Sequence, residues 1–249
     1  MSTSPNWLSR YRHGQRDQVW HELRQLGSTI RESYLVEEAQ LVCDEMAHRS
    51  RQNIEVIVER LSHDGFQFHL NDDEQTPVAP YFPPTAKASE HAAWLQERFG
   101  STPMSLLSWV RLVGDVWLVG THPEWHTSAS ADPLVIEVEG SRYPNASIRD
   151  YFDSEQEAWQ EWSAEESEAR PFVLSLAPDR LHKENVSGGK PYGIILPDGC
   201  VDGLFVGEAK MPFVSYLNWV FGKGGFPWPT ASDNQWRVGR ALARDLLPL

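Results

Sequence analysis

The chain has 249 residues, 41% apolar and 23% charged, with eleven tryptophans, a composition that excludes a disordered polypeptide. Its formal net charge of −13 repels a phosphate backbone, and its 22 basic residues, only five of them lysines, form no stripe, so nucleic acid is excluded as an expected ligand. No apolar run approaches the roughly 18 to 20 residues that span a bilayer, and the opening MSTSPNWLSRYRHGQR holds no signal-like stretch, so no membrane contact and a cytoplasmic location are expected. The length suits one core of roughly 150 residues with an appendage. Cys43 and Cys200, far apart on dissimilar segments, give neither a disulfide framework nor a CxxC site and read as packing residues.

In chain order, Val19, Trp20, Leu23 and Leu26 fall on one stripe and predict a helix over 16–26, ended by Gly27. Residues 33–64 lack Pro and Gly, and Leu35, Ala39, Val42, Cys43, Met46, Ile54, Ile57 and Leu61 recur at helical spacing. They predict a long helix closed by Gly65, with a bend or turn at the polar gap 48–52. Residues 66–70 alternate as a strand does, and the following segment, with four prolines, is an extended connector. A helix is predicted over 87–99, and Thr102-Pro103 opens another that stops at Gly114. Short strands are predicted at 116–119, 134–138, 172–176, 192–196 and 204–206, an acidic helical segment between the second and third, a helix from Pro212 and a last one over 233–247. The expected organisation is a helical segment 1–70, a Pro-rich connector 71–86 and an α+β domain 87–249. Helices, then strands, then helices imply an α+β fold with a mixed or antiparallel sheet of four to six strands flanked by helices.

Three stretches carry candidate chemistry. His122-Pro123-Glu124-Trp125-His126 offers metal-ligand types, but the proline beside Gly120 favours a loop with Trp125 anchored in the core, and neither a metal nor a cofactor is expected. The run 181–192 gathers His182, Lys183, Asn185, Ser187, Gly188, Gly189 and Tyr192. Its Gly-Gly suits a backbone nest for an anion, or a hairpin-like turn at positive φ with the polar groups satisfying the turn. No GxSxG elbow or Walker spacing occurs, so no catalytic residue is assigned. Finally, Trp159 and Trp162 lie among Glu161, Glu165, Glu166 and Glu168, either a solvated face or an acidic, aromatic patch suited to a basic protein partner.

The run APDRLHKENVSGGKPYGIILPDGCVDGLFVGE, followed by PFVSYLNWVFGKGGFP, resembles a group of uncharacterised bacterial proteins sharing an HKxNxSGG…Y…LP…FVxYL…GGFP pattern, over about one fifth of the chain. No activity comes with that likeness. GSTPMSLLSWVRLVGDVWLVG is similar to the opening of the SMI1/KNR4-like (SUKH) superfamily, whose members often serve as immunity proteins that bind and neutralise toxins. The helix after Pro103, the strand behind it and the helix at 213–221 carry this resemblance, while the long N-terminal helices and the HKENVSGG turn lie outside the superfamily's common core. The resemblance implies a non-enzymatic protein that engages a protein partner, and the acidic tryptophan surface is the contact expected on that view. The alternatives are an enzyme or small-molecule sensor, which requires the 182–192 side chains to converge on one pocket, and a structural protein whose long helix pairs with a copy of itself.

Overall fold

The computed structural model describes residues 5–166 and 170–249, and its elements are those of an α+β protein in which every strand pair is antiparallel. Trp7 and Tyr11, four residues apart, bury one face of a short helix not predicted above, α1 (Trp7–Arg12). It is followed by α2 (Arg16–Gln25), a 3-10 turn (Gly27–Arg31) and the 28-residue α3 (Val36–His63). Contrary to the bend expected at 48–52, α3 is unbroken. Ser50 within that gap and Asn53 just after it continue the buried stripe because both have partners: Ser50 Oγ donates to the Met46 carbonyl (3.0 Å), and Asn53 exchanges two hydrogen bonds with the Leu247 backbone (2.8 and 2.7 Å). The apolar stripe of α3 is spent inside the chain, chiefly on α5 (Met104–Leu112) and α1.

The strand after α3 is short, β1 (Gln67–Phe68), and the Pro-rich connector is more than a spacer, since it supplies β2 (Tyr81–Phe82). Helix α4 (Ala88–Phe99) and α5 then lead to β3 (Asp115–Trp117), β4 (Gly120–Thr121) and β5 (Val135–Ile136). These strands form two small sheets, β1-β4 and β2-β3-β5. The exposed helix α6 (Ile148–Glu165), capped by Ser147, precedes a four-stranded meander of β6 (Phe172–Ala177), β7 (Tyr192–Leu196), β8 (Leu204–Val206) and β9 (Lys210–Pro212), interrupted only by a four-residue helix α7 (Arg180–Lys183). The five strands predicted from sequence are therefore divided between two sheets, joined where the Glu137 N–H donates to the Leu176 carbonyl (2.8 Å).

Pro212 opens α8 (Phe213–Phe221), whose Phe213, Val214, Leu217, Val220 and Phe221 are buried as the spacing predicts. The last helix, α9 (Asn234–Ala243), stops short of the predicted 247, because Arg60 captures the carbonyls of Leu242 and Arg244 (2.8 and 2.6 Å) and Asn53 and Asn218 bind the extended tail. One continuous apolar core runs from Trp7 to Leu249. The described residues of the segments 1–70 and 87–249 thus share it, and a buried polar contact reinforces the join. Arg24 pairs with the buried Asp202 (2.7 Å), which also accepts from the Val214 N–H at the start of α8 (3.0 Å). Burial pushes the Asp202 carboxyl up, against the pull of Arg24.

Candidate functional site

The segment between β6 and β7 is built around an internal anion. Asp179 caps α7, its Oδ1 accepting from the N–H groups of Leu181 (2.9 Å) and His182 (3.4 Å), and its Oδ2 is bound to His182 Nδ1. The Gly189 N–H is directed at the same carboxylate. Burial pushes Asp179 up, but His182 and the N–H groups of Leu181, Gly189 and His182 outweigh it and hold the carboxyl below the usual range. The nest that the Gly-Gly pair suggested is thereby filled by the chain's own side chain, and the segment is a hairpin connection between the antiparallel β6 and β7 that carries a capped helical turn. Positive φ is also not the role of the glycines. It falls on Asn185 (φ 60), a residue type that tolerates the left-handed region, whereas Gly188 is small because a Cβ there would lie 2.5 Å from Asp179 Oδ1 and 2.6 Å from Leu181 Cβ.

The polar side chains of 182–192 do not converge on one pocket. Successive residues of a helix point about 100° apart, so α7 sends neighbouring side chains to different places. Lys183 turns inward and is fully buried, with Nζ 2.6 Å from Asp132 and 4.8 Å from the centre of the Tyr192 ring. The Tyr192 hydroxyl accepts from the Arg180 N–H (3.1 Å) and donates to Glu208 (3.0 Å), while Arg180 pairs with Glu184 (2.9 Å) and lies over Trp228 (5.3 Å). Burial pushes the Lys183 ammonium down despite Asp132 and raises the Tyr192 hydroxyl, which also faces Asp132 and Glu208. Asn185 donates to Asp73 (2.5 Å) at the surface, and Ser187, Gly188 and Gly189 are exposed. Of these side chains, His182 lines a cavity.

That cavity is a cleft of about 490 Å³ walled by the first turn of α6, the end of β6 and the turn after β5. Its chemistry comes from Trp117, Glu137, Tyr143, Tyr151, Asp179 and His182, over an apolar lining that includes Ile148, Leu176 and Ala177. Both carboxylates are already countered. Glu137 accepts two hydrogen bonds from Arg142 (2.9 and 2.6 Å), whose guanidinium rests 3.4 Å from the centre of the Trp117 ring, and Asp179 is held as described. Burial pushes Glu137 up, with Arg142 opposing. Of the hydroxyls, Ser147 caps α6 and Ser175 donates to Glu155 (3.3 Å). Trp117, Glu137, Tyr143 and Tyr151 come from separate segments and share no local motif that marks them as neighbours.

The predicted patch on α6 divides in the same way. Trp159 packs on Phe172 (5.7 Å) and donates from Nε1 to the Arg170 carbonyl (2.8 Å), so it is a support. Trp162 is exposed, as are Glu161, Glu165 and Glu166; Glu168 lies outside the described residues. In the 122–126 loop, Trp125 is buried and bonded to Thr230 (3.0 Å), His122 Nδ1 accepts from the Glu124 N–H (3.1 Å), and the Glu124 carboxylate is turned to Arg237. Burial pushes His122 below the usual histidine range. Among the described residues no three His, Cys, Asp or Glu side chains are grouped to hold a metal ion, and no helix is long and apolar enough to cross a membrane.

No known protein family, characterised protein or solved structure matches this chain.

Proposed function

We propose that this chain is a non-enzymatic binding protein that takes a small, planar, uncharged ligand in the cleft beneath α6. The observation that carries the reading is the cleft itself: its volume falls in the range of ligand sites, its walls are aromatic and aliphatic, and its few polar groups converge. The absence of an uncompensated charge sets the ligand class, since Glu137 and Asp179 already have their partners. Both serine hydroxyls of the lining are committed elsewhere, which favours binding over nucleophilic chemistry. Thermal unfolding in the presence of indole, phenol, nicotinamide and the free nucleobases tests it. At least one compound is expected to raise the melting temperature saturably, by an amount equivalent to about 2.7 kcal/mol at a hundredfold excess over Kd. Ala146 is exposed at the rim, so Ala146→Trp closes the mouth without disturbing the core and is expected to abolish the shift. If no compound shifts the transition, or if the shift survives Ala146→Trp, the reading fails.

A second reading places a basic protein partner on the outer face of α6, as an immunity-type protein of the SUKH kind would use it. It rests on Trp162, 41% exposed among Glu161, Glu165 and Glu166, none of which has a basic side chain within salt-bridge distance among the described residues. A basic protein that co-purifies with the intact chain is expected to be lost with Trp162→Ala and retained with Ala146→Trp. Retention by Trp162→Ala would remove α6 as the contact.

A further inference from the structure

We propose that the groove between the end of α8 and α9 is a docking site for an extended, proline-rich, acidic segment of a partner protein. The groove encloses about 1050 Å³ and shares no residue with the cleft beneath α6. Four tryptophans line it: the buried Trp125, the half-buried Trp219 and Trp228, and Trp236, whose 69% exposure is the largest of any big apolar side chain among the described residues. The deeper Trp125 shows what a satisfied indole does here, donating to Thr230 at 3.0 Å. The indole N–H groups of Trp219, Trp228 and Trp236 have no such acceptor among the described residues.

Charge points the same way. In a chain of net charge −13 this groove is locally cationic, with Asp233 as its only carboxylate. Lys223 and Arg240 have no carboxylate within 4.0 Å among the described residues, and the Arg240 guanidinium lies 4.6 Å from the centre of the Trp236 ring. Indole, ammonium and guanidinium groups donate hydrogen bonds and accept none. These donors outnumber the single carboxylate and favour an occupant rich in acceptors, apolar on its faces and negatively charged. A polyproline-type strand meets these conditions, because proline offers a carbonyl and no N–H, its ring packs on an indole face, and its backbone is ordered before it binds. Interspersed acidic residues answer Lys223 and Arg240. A helix would present fewer free carbonyls, since its own N–H groups occupy them.

Calorimetric titration of the full chain with synthetic repeats separates charge from backbone chemistry. A Glu-Pro-Pro repeat is expected to bind saturably, with Glu-Gly-Gly of equal length and charge, Lys-Pro-Pro, and a heparin oligosaccharide each at least about tenfold weaker. Trp236→Ala and Arg240→Ala are each expected to weaken the Glu-Pro-Pro repeat by about tenfold or more with the melting temperature unchanged, because Trp236 is exposed. The proposal is overturned by the absence of saturable binding, by equal affinity for Glu-Gly-Gly, by tighter binding of the oligosaccharide, or by full affinity in Trp236→Ala.

Discussion

Replacing Asp132 by asparagine is expected to destabilise the folded chain by about 3 to 5 kcal/mol, seen as a large drop in the urea midpoint at neutral pH with an unchanged slope. The substitution leaves the Lys183 ammonium fully buried and without its counter-ion, at 2.6 Å from an amide instead of a carboxylate. Asparagine keeps the backbone question out of the measurement, since Asp132 sits at φ 55 and asparagine tolerates that region about as well. Nothing nearby takes over the role: Glu208 is engaged by Tyr192 (3.0 Å), and Asp179 by His182 and its own helix. Adding Lys183→Met to Asp132→Asn removes the stranded charge and fills its space with apolar atoms, so most of the loss is expected to return. A cost below about 1 kcal/mol for Asp132→Asn would mean that Lys183 is not held charged by this pair. Against a total stability of about 5 to 15 kcal/mol, the expected loss is enough to unfold a marginal protein. The HKxNxSGG stretch is thus, at Lys183, a structural fastener.

Gly193→Ala is expected to cost about 3 kcal/mol or more, lowering the melting temperature by roughly 6 to 12 °C for a chain of this size. Gly193 lies in β7, opposite Ser175 of β6 and Val206 of β8, beside the irregularity between Ser175 and Ala177. A Cβ there would overlap the Leu174 carbonyl and lie 2.9 Å from Val173 Cγ1. The strand has hydrogen-bonded neighbours on both sides, so it cannot move away from one without leaving the other. Gly189→Ala is the matched control. Its Cβ would meet nothing nearer than 4.0 Å, and the change is expected to stay within about 0.5 kcal/mol. A Gly193→Ala chain that melts with the parent would contradict the close approach of β6 and β7.

Much of the secondary structure was legible before the fold. The apolar stripe from Ala39 to Leu61 marked α3, Pro103 and Pro212 marked the starts of α5 and α8, and β-rich runs marked β6, β7 and β8. Each is a local signal, set by helical or strand periodicity and by the fixed φ of proline. The misreadings share a cause. His48 to Gln52 looked like a break because their polarity argued for solvent, yet Ser50 and Asn53 satisfy their hydrogen bonds inside, the latter with a tail 194 residues away in sequence. Gly188 and Gly189 left open a nest for an anion or a structural turn, and only the folded chain shows that Asp179 takes up the N–H groups there.

The sequence by itself therefore determined the α+β class, the long amphipathic helix, the proline-led helices and the net negative charge of the molecule. Those follow from composition and from spacings of a few residues. The tertiary structure decided which side chains share a site. It divided His182 from Lys183, made Trp159 a support and left Trp162 exposed, and brought Trp117, Glu137, Tyr143 and Tyr151 around one cleft. Proximity between distant segments depends on how every element packs, and no local pattern encodes it.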